Sequence, residues 1–255
     1  MNLTEYTGAE SAFPMFLVKF GELDHMKALQ SGCLYMKNLG YFIDLEKKTG
    51  VKGRGDRLEG AYVLADLEAV ISDPETGEKV RLASVSSMHF RTDWIRERPV
   101  FCLFTITSDM FELDGEKHNQ MVFKLTFTEK QKEKIEKEFG DSALFISFDP
   151  FVQQIDSVFK ETGLQYKRGL VNYYDYSVNE AVRLELMKKF GHLDICFAKD
   201  QVYKYQNEYR VIIQNIDVLE DYQIELGELT GTKLIKTESL LSGDLELRRP
   251  LIQKE

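Results

Sequence analysis

The chain has 255 residues, with 33 Lys and Arg against 42 Asp and Glu, a formal charge of −9, 43% apolar residues and 12% aromatics. That length buries a sizeable core, and the composition excludes a largely disordered chain. No apolar run reaches the roughly 20 residues of a membrane-spanning helix, and Met1–Tyr6 has no basic or apolar leader region. The expectation is a cytoplasmic protein that uses no membrane and whose partner is a small molecule or another protein.

In chain order, Phe16–Phe20 reads as a strand between Pro14 and Gly21. Glu22–Gln30 reads as a helix, with Leu23, Met26 and Leu29 at helical spacing and Gly32 at its end. Cys33–Met36 is a second strand, and Asn38 caps a helix through Lys48. Gly50–Asp56 is a loop, because three glycines in so short a stretch hold a helix poorly. From Ala61 to Phe127 the pattern is of strands. Ala69–Ser72 and Lys79–Ala83 flank the turn Asp73–Glu78 as a hairpin, and Val85–Phe90, Val100–Thr107 and Gln120–Phe127 follow.

Thr128 opens a charged helix to Phe139, and Ala143–Phe148 is a strand. Asp149, with Pro150 at the first helical position, caps a helix whose apolar face is Phe151, Ile155, Val158 and Phe159. Leu164–Tyr176 holds a strand, Asn179–Phe190 a helix and Tyr209–Ile213 a strand. Helices and strands alternate without a sustained βαβ rhythm. The expected class is α+β: a single domain over residues 1–255, with an antiparallel or mixed sheet, open to a split, and flanking helices.

Cys33, Cys102 and Cys196 are far apart and odd in number, which fits neither a disulfide framework nor a structural zinc site. Their apolar neighbours suggest buried small hydrophobes. His25, His89, His118 and His192 form no pair at i,i+3 or i,i+4 spacing. No metal site is therefore expected from histidine or cysteine.

Three segments carry candidate chemistry. Lys52-Gly53-Arg54-Gly55-Asp56-Arg57 combines exposed amides with cations suited to a phosphate, although neither a Walker loop nor a dinucleotide fingerprint is present. A solvated surface loop is the plainer alternative. Asp56 and Glu59, three residues apart, suit a shared divalent cation or, more commonly, capping and ion pairing. In Phe197–Ile213, a polar, aromatic-rich loop enters an apolar strand. Period two puts Tyr209, Val211 and Ile213 on one face, and Gln206, Glu208, Arg210 and Ile212 on the other. Glu208 and Gln206 then reach one ligand, or Glu208 simply pairs with Arg210. Tyr173, Tyr174, Tyr176, Tyr203 and Tyr205 suit base stacking or, more often, half-buried positions in a sheet.

Gln206-x-Glu208 at the start of a late strand resembles the Q-x-E signature of ADP-ribosyltransferases. That resemblance implies a split, mainly antiparallel sheet with NAD as the substrate in its cleft. Glu208 would stabilise the oxocarbenium-like transition state and Gln206 would orient the acceptor, while Tyr35 or Tyr41 stacks on nicotinamide and Arg54 or Arg57 holds the pyrophosphate. Ser84–Ser87 loosely resembles the family's Ser-Thr-Ser strand; its early Arg or His is unmatched, Phe16–Phe20 offering only Lys19.

Leu17–Phe20, Gly32–Asn38, Tyr41-Phe42, Gly55–Gly60 and Tyr205–Arg210 also resemble an uncharacterised bacterial and phage family that ends in a Glu-Tyr/Trp-Arg strand. This resemblance implies one cluster of Tyr35, Tyr41, Asp56, Glu59, Glu208 and Arg210, with Arg210 expected beside Tyr35, Tyr41, Arg54 and Arg57 as a cofactor-binding residue. Two other readings stand beside NAD cleavage. One is a phage or host-defence module that binds a nucleotide or blocks a partner without chemistry. The other is a nuclease holding Mg²⁺ on Asp56, Glu59 and Glu208. The acceptor, whether protein or nucleic acid, is not specified by either resemblance.

Overall fold

Six consecutive residues, Glu208–Ile213, are all buried, as a strand covered on both faces requires. The computed structural model describes residues 1–50, 53–243 and 245–250. The first third holds α1 (Leu3–Thr7), β1 (Pro14–Gly21), α2 (Leu23–Gln30), β2 (Cys33–Asn38) and α3 (Leu39–Thr49). Then come β3 (Tyr62–Ser72), β4 (Lys79–Phe90), β5 (Pro99–Thr107), β6 (Phe111–Lys117) and β7 (Gln120–Leu125). Next are α4 (Glu129–Glu138), β8 (Ser142–Ser147), α5 (Phe148–Glu161), β9 (Tyr166–Leu170), β10 (Asn172–Tyr174) and α6 (Ala181–Lys188). The chain continues through β11 (Ala198–Asp200), β12 (Glu208–Ile213), β13 (Asp221–Glu225), β14 (Thr232–Lys236), α7 (Thr237–Leu241) and β15 (Glu246–Pro250). The class is α+β, and the eight-stranded main sheet is antiparallel throughout.

The pairing of β5 creates the cleft. One edge of β5 bonds β12 from Val100 to Phe104. The opposite edge is shared: Pro99 and Val100 pair with β2, and Phe104 to Thr107 pair with β1. Phe101, Cys102 and Leu103 therefore face a gap in which β1 and β2 diverge. Strands β8 and β14 extend the β1 side, and β13 extends the β2 side. Unpaired backbone inside a protein is costly; the Lys19 ammonium partly fills the gap by donating to the Cys102 carbonyl at 2.8 Å.

Alternation along the strands feeds separate apolar clusters. Leu17, Leu103, Tyr209 and Val211 pack with Phe151, Ile155 and Phe159 of α5. Val18 and Phe104 pack on the other side with Phe111 and Phe123, and Val100 and Ile212 with Leu39 and Cys196. Cys196 is buried as expected, whereas Cys33 and Cys102 are half-buried; all three thiols are free.

Two local expectations are corrected. Helix α5 begins at Phe148 with Ser147 at its N-cap, so Asp149 lies in its first turn instead of capping it. Residues 79–90 form one strand with a register shift where two strands were expected. That β3–β4 ribbon stands outside the main sheet, and β4 is exposed along nearly its whole length. Apolar composition alone therefore misleads there.

Asn38 shows how sequence positions the site. Its side-chain oxygen accepts from the Tyr41 amide at 2.8 Å, and its amide donates to the carbonyls of Val218 and Leu219. One side chain thus caps α3 and fixes the β2–α3 corner that carries Tyr35 and Tyr41. Asn38→Ala is expected to cost about 1–2 kcal/mol, read as a fall of a few degrees in the thermal midpoint; an unchanged midpoint would contradict this role.

Candidate functional site

A cavity of about 810 Å³ occupies the split between β1 and β2, within the roughly 300–1,000 Å³ of small-molecule sites. Val18, Phe20, Phe101, Leu103 and Phe104 supply apolar walls. Lys19, Lys37, Arg54, Lys199 and Arg210 line it with Glu22, Glu59 and Glu208, two more cations than carboxylates, in a chain of net charge −9.

The floor is a buried ion-pair cluster. The Arg210 guanidinium donates to Glu208 through Nε at 2.7 Å and Nη2 at 3.0 Å, and to Glu59 through Nη1 at 2.5 Å and Nη2 at 3.0 Å. Nη1 also donates to the Cys196 carbonyl. All five guanidinium donors are thus used within the protein, so Arg210 holds two carboxylates in place and offers no donor to a ligand. Lys199 donates to Gln206 Oε1 at 2.7 Å and Glu208 Oε2 at 3.2 Å, with Glu59 Oε2 at 3.6 Å. Two cations balance two anions, as burial demands.

Burial by itself pushes the Glu208 carboxyl up, but Arg210 and Lys199 outweigh it and hold the group well below the usual carboxylate range. Glu208 is therefore a fixed anion and not a proton donor. For Lys199 and Arg210 burial acts downwards, and the facing carboxylates outweigh it and raise both groups. The cation pair occupies the side of Glu208 that faces Glu59. A divalent metal bridging these carboxylates would have to displace Arg210, and among the described residues no cluster of His, Cys, Asp or Glu suits a metal. In this arrangement both carboxylates are ion-pair partners of Arg210 and Lys199.

The glycine-rich loop forms one wall, although Val51 and Lys52 lie outside the described residues. Gln206 donates to the Gly53 carbonyl at 2.9 Å. Gly53 and Gly55 are buried. A Cβ on Gly55 would come within 2.5 Å of the Glu46 backbone nitrogen, so the close approach requires glycine there. Arg54 and Arg57 are both exposed, and Arg54 alone of the two lines the cavity.

Tyr35 and Tyr41 sit at the rim, 40% and 38% exposed. Lys37, which the sequence did not single out, lies between them, with Nζ 5.1 and 5.3 Å from the two ring centroids. Asp221 accepts from both Tyr35, at 2.6 Å, and Lys37, at 3.3 Å. Tyr203 and Tyr205 are instead buried, donating to Glu46 and Glu138. The Tyr173 hydroxyl accepts the Glu208 amide at 3.0 Å. These tyrosines brace the site and offer no open face for stacking.

The fold thus gathers Tyr35, Tyr41, Arg54, Gln206, Glu208 and Arg210 around one cavity and leaves Arg57 out. Asp56 packs just behind the cluster, 3% exposed. Its Oδ1 accepts the Leu58 amide at 2.8 Å, and its Oδ2 has no hydrogen-bond partner among the described residues. The position of Lys199, seven residues before Gln206, becomes informative only once β11 is placed beside β10.

Burial and the Glu59 charge raise the Asp56 carboxyl to about 6 from 3.8. The folded chain then keeps a proton that the unfolded chain has lost, so stability falls as pH rises from about 4 to about 6, by roughly 3 kcal/mol. Asp56→Asn is expected to remove that decline. Thermal melts should show the variant gaining stability over the parent above pH 6, with little gain near pH 4; a gain independent of pH would contradict the assignment.

Comparison of the chain with protein-family models, curated proteins and solved structures gives no match. No helix among the described residues is long and apolar enough to cross a membrane.

Proposed function

We propose that the split-sheet cleft binds a nucleotide-type anion and that the chain is an ADP-ribosyltransferase-like enzyme that cleaves NAD and passes ADP-ribose to an acceptor. The observation that carries this reading is the cation-rich lining of a cavity whose floor presents Glu208 as a fixed anion beside Gln206. Departure of nicotinamide leaves positive charge on the ribose, and a preorganised carboxylate stabilises that charge without reorganising. Arg54 on the wall suits the pyrophosphate, and the half-exposed rings of Tyr35 and Tyr41 suit the nicotinamide. Gln206, whose side chain is held by Lys199 and Gly53, is the residue this reading gives the task of orienting the acceptor.

One observation favours a second reading, a binding module that sequesters its ligand unchanged. Glu208 Oε2 already accepts from both Arg210 and Lys199, and Oε1 from Arg210, which offsets much of its charge. Incubating the folded chain with NAD and a cell lysate, and measuring free nicotinamide, separates the two. Nicotinamide release supports the enzyme. NAD bound tightly and recovered intact supports the module.

A further inference from the structure

Lys19, half-buried, differs from Lys199 and Arg210, the buried cations of the cleft. Its Nζ donates to the Cys102 carbonyl at 2.8 Å and lies 4.6 Å from the centroid of the Phe101 ring. No carboxylate among the described residues is paired with it, whereas Lys199 touches Glu59 and Glu208. The side chain lines the cavity from the middle of β1, between apolar Val18 and Phe20. An amine so placed loses hydration with no carboxylate in contact, and burial lowers its basicity, opposed at longer range by Cys102 and Glu208 and aided by Arg54.

We propose that Lys19 is a nucleophilic amine that captures an aldehyde bearing an anionic group as a Schiff base within this cleft. The neutral amine adds to the carbonyl carbon to form the C–N bond of a carbinolamine. The carbonyl oxygen then leaves as water with both amine hydrogens, giving the imine. The additional proton of the resting ammonium passes to solvent at the cleft mouth, and nothing is oxidised or reduced. Apolar walls favour loss of water from the carbinolamine, and desolvated lysines serve as such nucleophiles generally. The anionic group is selected by the cation excess of the lining, which includes Arg54. This inference does not depend on NAD cleavage.

The test uses pyridoxal 5′-phosphate as the anionic aldehyde, with borohydride to fix any imine, followed by peptide mapping of the folded full chain. The expected result is labelling of Lys19 at concentrations below those that label Lys188 and Lys189, which are 74% and 60% exposed. Neutral pyridoxal should need at least about tenfold more for the same Lys19 label, the equivalent of 1.4 kcal/mol. Lys19→Arg, which keeps the cation, should lose the imine absorbance while retaining the parent's thermal midpoint. Label confined to exposed lysines, or equal labelling of Lys19 in folded and denatured chain, would overturn the proposal.

Discussion

Replacing Arg210 by leucine is expected to cost about 3–5 kcal/mol of stability and to lower the thermal midpoint by on the order of 10 °C. The guanidinium is 2% exposed and holds Glu59 and Glu208 at once, themselves 3% and 7% exposed. Leucine fills part of the volume but leaves two buried carboxylates facing Lys199 alone. The pH dependence identifies the cause. In the parent, Glu208 lies below its ordinary value of 4.5, so its contribution is present above that pH and is lost as the solution becomes more acid. In the variant the guanidinium is gone, burial raises the Glu208 carboxyl, and its protonation relieves the buried charge, so stability recovers as pH falls. Melts at pH 7.5 and 5 should therefore show the gap between parent and variant narrowing. A loss below about 1 kcal/mol at both pH values would mean that the cluster is not what holds this part of the fold.

Glu208→Gln is expected to lower nicotinamide release from NAD by about 100- to 1,000-fold, the range for removing one preorganised electrostatic contact. Glutamine keeps the shape and loses only the charge. Affinity for NAD should change by no more than a few-fold, because Arg54 and the rim tyrosines do not touch Glu208. The variant still folds on this account: Lys199 retains Gln206 at 2.7 Å and Glu59 at 3.6 Å, and the stability cost is about 2 kcal/mol. Rates normalised to the folded fraction separate lost chemistry from lost structure. Full activity in the folded variant would remove Glu208 from the reaction.

Local structure was legible where one rule decides it. The period-two face of Glu208, Arg210 and Ile212 holds in β12, whereas Gln206 ends a 3-10 turn before the strand, and the Asn38 and Thr128 caps are made by the side chains that the sequence offers. What sequence could not supply were partners distant along the chain. Glu59 and Arg210 are 151 residues apart, and nothing near either one distinguishes a metal ligand from an ion-pair partner. The split arises because β1 and β2 share an edge of β5, a pairing that depends on strand order. Strands β6, β13 and β15 fall in stretches that read as strand-like but could not be delimited one by one, because they are largely polar and exposed, with no apolar run to bound them. The hairpin of Ala69–Ser72 and Lys79–Ala83, read from its turn, holds in β3–β4, although its apolar residues Val70, Ile71, Val80 and Leu82 are 46–59% exposed.

The most direct test of a nucleotide-type site in the split is calorimetric titration of NAD into the folded chain and into its Arg54→Glu variant. Saturable one-site binding to the parent is expected, with at least tenfold weaker binding to the variant, equivalent to 1.4 kcal/mol. Absence of saturable binding to the parent, or equal affinity in the two proteins, would contradict a nucleotide-type site there.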